Sequence, residues 1–273
     1  MDLKIVMVEG PHDGAFISKI MQVHEFKTCK VPIGDYQPKF IAKYLGIQYK
    51  KAPVDQLNLQ SVRQEILFPS YSLIQGNCQL LIFQMNGDSR ADRRNKLVRE
   101  IFGFVHSTMT ADAMTADDKI TFVYEFDADE MGVAARLQQV NDEIRLIDSE
   151  CPAILANGEY VESKGIRWGA FIFADTNGKG KLEDIILPMM EIDNEDIATC
   201  AKELVDRRDS FILFRGKKTL KHPLKARIGV MGQLDKEGSA NPAIIEQSSY
   251  LTSEKIKKSP VCESIFSFLS LVD

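Results

Sequence analysis

Four stretches of the chain are short, unbroken apolar runs: Leu3–Val8, Gln79–Met85, Ile120–Phe126 and Trp168–Phe173. A strand with one wet face alternates polar and apolar residues, so continuous runs predict strands covered on both faces, as in a parallel sheet. Between the runs the apolar spacing changes to that of a helix. Met131–Ile147 places Val133, Leu137, Val140 and Ile144 on one stripe, and Ala15–Val23 does the same with Phe16, Ile17 and Ile20. Strands alternating with helices predict βαβ units, hence an α/β fold with a mainly parallel, Rossmann-like sheet flanked by helices.

Two regions depart from this rhythm. Residues 30–76 hold Pro32, Pro38, Pro53 and Pro69, with short helical pieces near Lys39–Leu45 and Leu57–Ile66. They are expected to form an insertion after the first strand–helix unit. Beyond Glu191 strand signals fade, and Glu195–Arg207, Leu224–Leu234 and Val261–Leu271 carry helical patterns. The expected division is an α/β core over 1–192 and a helical C-terminal extension over 193–273 packed on it. No internal repeat and no low-complexity segment interrupts either part.

Composition narrows the function classes. At 273 residues, 44% apolar and 27% charged, the chain has an ordinary globular balance. Its five cysteines are scattered without a C-x-x-C pair, which argues against a zinc ribbon or a disulfide framework and fits a reducing compartment. No apolar run approaches the ~20 residues that cross a bilayer. The N-terminal run is too short for a signal segment, so a cytoplasmic address without a membrane partner is expected. A net charge of −5 argues against indiscriminate coating of nucleic acid, but not against an acidic site masked by metal. No Gly-x-x-x-x-Gly-Lys-Ser/Thr loop is present, so nucleotide hydrolysis would require a separate ATPase partner.

The acids that end the apolar runs carry the chemistry. Val8-Glu9-Gly10-Pro11-His12-Asp13 reads as a strand, a tight turn and a helix start, which projects Glu9 from the carboxyl end of a strand, where open α/β sheets bind ligands. Asp13 also suits the first turn of a helix. Phe126-Asp127-Ala128-Asp129 again runs from a buried strand into acids. In extended chain, side chains two apart point to one side, so Asp127 and Asp129 are expected to present both carboxylates to one spot. Adjacent carboxylates repel unless a cation lies between them, and hard oxygen donors suit Mg²⁺ or Mn²⁺. A lone His12 in a turn is expected to face solvent or to serve structure.

Glu9-Gly10 at one strand end and Asp127-Ala128-Asp129 at another resemble the pattern of the Toprim domain, shared by topoisomerases, bacterial primases, recombination mediators and overcoming-lysogenisation-defect nucleases. Asp13 matches the acid usual in the nuclease-like members. Further along, Trp168–Asp175 followed by Gly180-Lys181-Leu182-Glu183-Asp184, and a late Lys225-Ala226, resemble small stand-alone bacterial Toprim-like proteins. Ala174 stands where that group usually shows proline. The resemblance implies Mg²⁺- or Mn²⁺-dependent phosphodiester chemistry, with Glu9, Asp127 and Asp129 as metal ligands. Asp13, Asp175 and Glu183 are further candidates.

The chain is too short for a strand-passing topoisomerase and lacks the cysteine cluster of a primase, which leaves a nuclease as the leading expectation. The alternative is a catalytically silent binding or regulatory module. Glu183 and Asp184 are expected to open a short helix, Glu183–Leu187, stopped by Pro188. Arg215, Lys217, Lys218, Lys221, Lys225 and Arg227 form a basic run in an acidic chain, expected to meet the phosphates of DNA or RNA. Lys225 is assigned a catalytic, charge-stabilising role, with Lys218 as its alternative. A homodimer is left open.

Overall fold

The computed structural model describes residues 1–50, 67–87, 90–106, 115 and 117–271. Its strands, in chain order, are β1 (Asp2–Val8), β2 (Lys27–Thr28), β3 (Tyr71–Gln75), β4 (Cys78–Gln84), β5 (Lys119–Asp127), β6 (Glu159–Ser163) and β7 (Ile166–Phe173). The helices are α1 (Pro11–Val23), α2 (Lys39–Lys50), α3 (Ala91–Val105), α4 (Val133–Arg145), α5 (Leu182–Glu191), α6 (Glu195–Asp206), α7 (Pro223–Gln233), α8 (Asn241–Gln247), α9 (Ser253–Lys258) and α10 (Pro260–Ser270).

The four apolar runs form the centre of one mixed sheet of order β2-β3-β4-β1-β5-β7-β6. β1 pairs in parallel with β4 and β5, and β5 in parallel with β7. All seven residues of β1 are buried, as a strand covered on both faces requires. The antiparallel edge strands β3 and β6 are half-exposed, and no continuous apolar run marks them. β3 ends the proline-rich stretch, which is therefore not helical throughout. The helix expected at Leu57–Ile66 lies outside the described residues.

Alternate residues of β1 face opposite layers. Leu3, Ile5 and Met7 pack with Phe40, Leu97 and Val140 from α2, α3 and α4. Val6 and Val8 pack with Phe16 and Ile20 of α1 and, in the same cluster, with Ile228, Ile244, Ile256 and Leu269 of the C-terminal helices. The C-terminal part thus completes a face of the sheet. Gly169 permits its close approach, because a Cβ there would lie 2.4 Å from the Tyr160 ring and 2.9 Å from Phe268. Those two rings stack with centroids 4.4 Å apart. The buried Lys4 pairs with Asp2 at 3.2 Å and donates to the Leu271 carbonyl at 2.7 Å, tying β1 to the end of α10.

Pro188 does not stop its helix. α5 continues to Glu191 with Pro188 inside it, because Ile185 and Ile186 before the proline and Met189 and Met190 after it are all buried. Core burial on both sides outweighs the one backbone hydrogen bond that a proline deletes.

Candidate functional site

The β1–α1 and β7–α5 connections are built alike. Each helix has an aspartate at its third position that caps the preceding backbone: Asp13 accepts from Gly10 N at 2.6 Å, and Asp184 accepts from Lys181 N at 2.8 Å. Gly180 has φ +92°, and a Cβ on it would sit 2.7 Å from the Asp184 carboxylate. Glycine is the residue that tolerates both conditions.

A cleft of about 500 Å³ opens at the carboxyl ends of β1 and β5, lined by Glu9, His12, Asp13, Asp127, Lys225 and Asn241 among others. Glu9 accepts from the Asp127 backbone N–H at 3.1 Å, and the Asp127 carboxylate accepts from Leu182 N, the first residue of α5, at 2.7 Å. β1, β5 and the β7–α5 turn are thereby locked together around the acids. Glu183 is buried beside them. Its carboxylate bonds His12 Nδ1 at 2.9 Å and lies 3.5 Å from Lys225 Nζ. His12 is therefore a wall of the cleft held by a carboxylate, not a solvent-facing turn residue.

The electrostatics divide these acids. Burial pushes Asp13 up to about 7, against the Gly10 hydrogen bond, with the charges of Glu9 and Glu183 adding to the rise. Burial pushes Asp127 up to about 9, and Asp13 and Glu9 raise it further. Burial also acts to raise Glu183, but the His12 hydrogen bond and Lys225 outweigh it and hold the group below its ordinary value. Glu125 was not anticipated as a site residue. It lies on β5 opposite Val8, fully buried, and neither carboxyl oxygen meets a hydrogen-bond partner among the described residues. Burial, then the charge of Asp13, push it well above the usual carboxylate range. Its place inside a strand hid it, since only acids at strand ends stand out in the apolar pattern.

Two expected ligands lie in different surroundings. Asp129 has φ +48°, and the chain is no longer extended there. Its carboxylate pairs with the buried Arg136 at 2.8 Å and with Lys181 at 2.9 Å, and its backbone bridges Gly180. Asp175 is exposed and caps its own loop, accepting from Asn177 N at 2.8 Å and Lys179 N at 3.1 Å, bonds that hold it below the ordinary value. Among the described residues no group of three or more His, Cys, Asp or Glu stands in metal-binding geometry. Of the basic run, Lys225 lines the cleft and Arg227 pairs with Glu191 at 2.6 Å. Arg215, Lys217, Lys218 and Lys221 are exposed on the connection before α7. Asp88 and Ser89 lie outside the described residues.

These features define an α/β protein with a mostly parallel core sheet, a helical C-terminal part and an acidic cleft at the strand ends; no described helix is long and apolar enough to cross a membrane. The chain belongs to the family described as a protein of unknown function, DUF3226, whose model matches residues 3–270. Its fold is similar to the crystal structure of a hypothetical protein from Pyrococcus horikoshii OT3, at 16% sequence identity and a TM-score of 0.51, covering 99% of this chain and 95% of that one. No curated protein matches the chain.

Proposed function

We propose that this protein is a Toprim-type enzyme of Mg²⁺- or Mn²⁺-dependent phosphodiester chemistry on nucleic acid, a nuclease. The observation that carries this reading is a cleft at the carboxyl ends of parallel strands, lined by Glu9, Asp13 and Asp127, where burial raises Asp13 and Asp127, Glu9 raises both further and Asp13 adds to the rise of Asp127. Buried carboxylates that repel are relieved by a cation, and an all-oxygen donor set suits a hard one. Glu9 and Asp127 would hold the ion, with Asp13 beside them. When bound, it supplies a water of lowered pKa and neutralises phosphate charge.

The chain's own groups divide the remaining work. Lys225 offers a cation to an anionic substrate at the cleft wall, and Glu183 orients it. Arg136 and Lys181 hold Asp129 and so brace the β5–α4 turn against the β7–α5 turn, which keeps Leu182 N on Asp127. The test is cleavage of supercoiled plasmid and of single-stranded DNA or RNA with Mn²⁺. Wild type is expected to cut, and Glu9→Gln, nearly isosteric but uncharged, to lose cleavage with its fold intact. Cutting by Glu9→Gln at the wild-type rate contradicts the assignment.

One observation favours the second reading, a silent Toprim-like binding module working with a separate ATPase. Asp13 and Asp127 already accept backbone hydrogen bonds, from Gly10 N and Leu182 N, and no three-ligand geometry is preformed among the described residues. A protein that binds Mn²⁺ through Asp127 but cuts none of these substrates is such a module.

A further inference from the structure

The connection between α6 and α7, residues 207–222, combines two features that ordinary surface keeps apart. It carries six basic residues, Arg207, Arg208, Arg215, Lys217, Lys218 and Lys221, against one acid, Asp209, in a chain of net charge −5. It also exposes apolar side chains: Ile212 is 87% exposed, Leu213 68%, and Phe211 and Leu220 37% each. At its centre the Arg208 guanidinium lies over the Phe214 ring, 4.4 Å from its centroid, with Lys217 Nζ at 5.7 Å. Lys221 is four residues from Lys225, a reach of at most ~14 Å, and Lys225 lines the acidic cleft.

We propose that residues 207–222 grip a single-stranded nucleic acid and lead it to the cleft; the nature of the strand rests on the proposed function, whereas its single-strandedness rests on this segment. Cations interleaved with bare aromatic and aliphatic side chains match a chain that offers phosphates and open base faces together. A duplex presents the phosphates but hides the base faces in its stack. An anionic bilayer fits less well, because interfacial binding uses an amphipathic helix with one apolar face. This segment has only two three-residue 3₁₀ turns, Arg208–Ser210 and Ile212–Phe214.

The test is fluorescence anisotropy in EDTA with a labelled oligothymidine longer than the ~16 nucleotides that larger single-strand sites cover. The same sequence as duplex and phosphatidylglycerol vesicles are the competing ligands. Single strand is expected to bind more tightly than duplex. Phe211→Ala is expected to weaken the single strand by roughly tenfold and to leave duplex binding unchanged. Replacing Lys217, Lys218 and Lys221 with alanine is expected to flatten the log–log salt dependence by about 2. These positions are exposed, so unchanged melting temperatures verify the fold. Equal affinity for single strand and duplex, an unchanged salt slope, or vesicle binding tighter than oligonucleotide binding overturns the proposal. The titration is run in EDTA, so metal takes no part in it. A failed metal reading therefore leaves this result standing, and a failed oligonucleotide titration leaves the metal reading standing.

Discussion

Two groups of acids occupy the same edge of the sheet in opposite surroundings. Glu9, Asp13 and Asp127 face one another across the cleft, and Asp13 and Asp127 are pushed to about 7 and about 9. Asp129, two residues beyond Asp127, sits between Arg136 and Lys181, and Asp175, after β7, sits inside its own loop. The first group is held together by backbone donors against its own repulsion. The second group stabilises the turns that do the holding. Acids of one motif thus divide into those left under strain, where a cation would act, and those already neutralised.

The widest separation between the groups is in pH dependence. The folded-state value of Asp13 lies above its ordinary 3.8, so its contribution to stability is fully present below about 4 and is lost as pH rises through about 7. Measured as the difference between wild type and Asp13→Asn, which cancels the groups that Asp13 does not touch electrostatically, the loss across that window is expected to be on the order of 4 kcal/mol. Urea unfolding of metal-free protein at a series of pH values measures it. A flat or rising difference means that Asp13 is not raised by its burial and its acidic neighbours.

Asp129→Ala should act in the other direction, with a smaller effect. It removes one carboxylate partner of the fully buried Arg136, at a cost of about 2 kcal/mol and a Tm drop of roughly 5 °C. The residual bonds of Arg136 to the Asp127 carbonyl at 2.8 Å and to Gln139 at 3.0 Å limit the loss. Thermal unfolding checks it, and unchanged stability would remove Asp129 from its bracing role. Asp175→Ala is expected to have the smallest effect, a slight loss of Tm and no change in any metal response, because its carboxylate serves only an exposed loop.

The acids under strain were the legible ones, for a physical reason. Glu9 and Asp127 end continuous apolar runs, and a charged residue there must project from a strand end. The ion pairs of Asp129 were not legible, because the two-residue alternation describes only extended chain and Asp129 has φ +48°. The buried strands β1, β4, β5 and β7 stood out for the same reason as Glu9. β3 and β6 did not, since half-exposed edge strands mix polar and apolar residues. α3 was hidden in its charged sequence, although Arg94, Leu97, Val98 and Ile101 form its buried stripe. The partnership of His12 with Glu183 spans 171 residues and follows only from the tertiary fold.

The central claim, that Glu9, Asp13 and Asp127 form the cation site and Asp129 braces it, is tested most directly by Mn²⁺-dependent melting of wild type, Asp127→Asn and Asp129→Asn. A ligand selective for the folded state stabilises it by about 2.7 kcal/mol at a hundred times its Kd. The account predicts a rise in Tm with Mn²⁺ in wild type and in Asp129→Asn, and none in Asp127→Asn. A shift that survives in Asp127→Asn, or that disappears in Asp129→Asn alone, contradicts it.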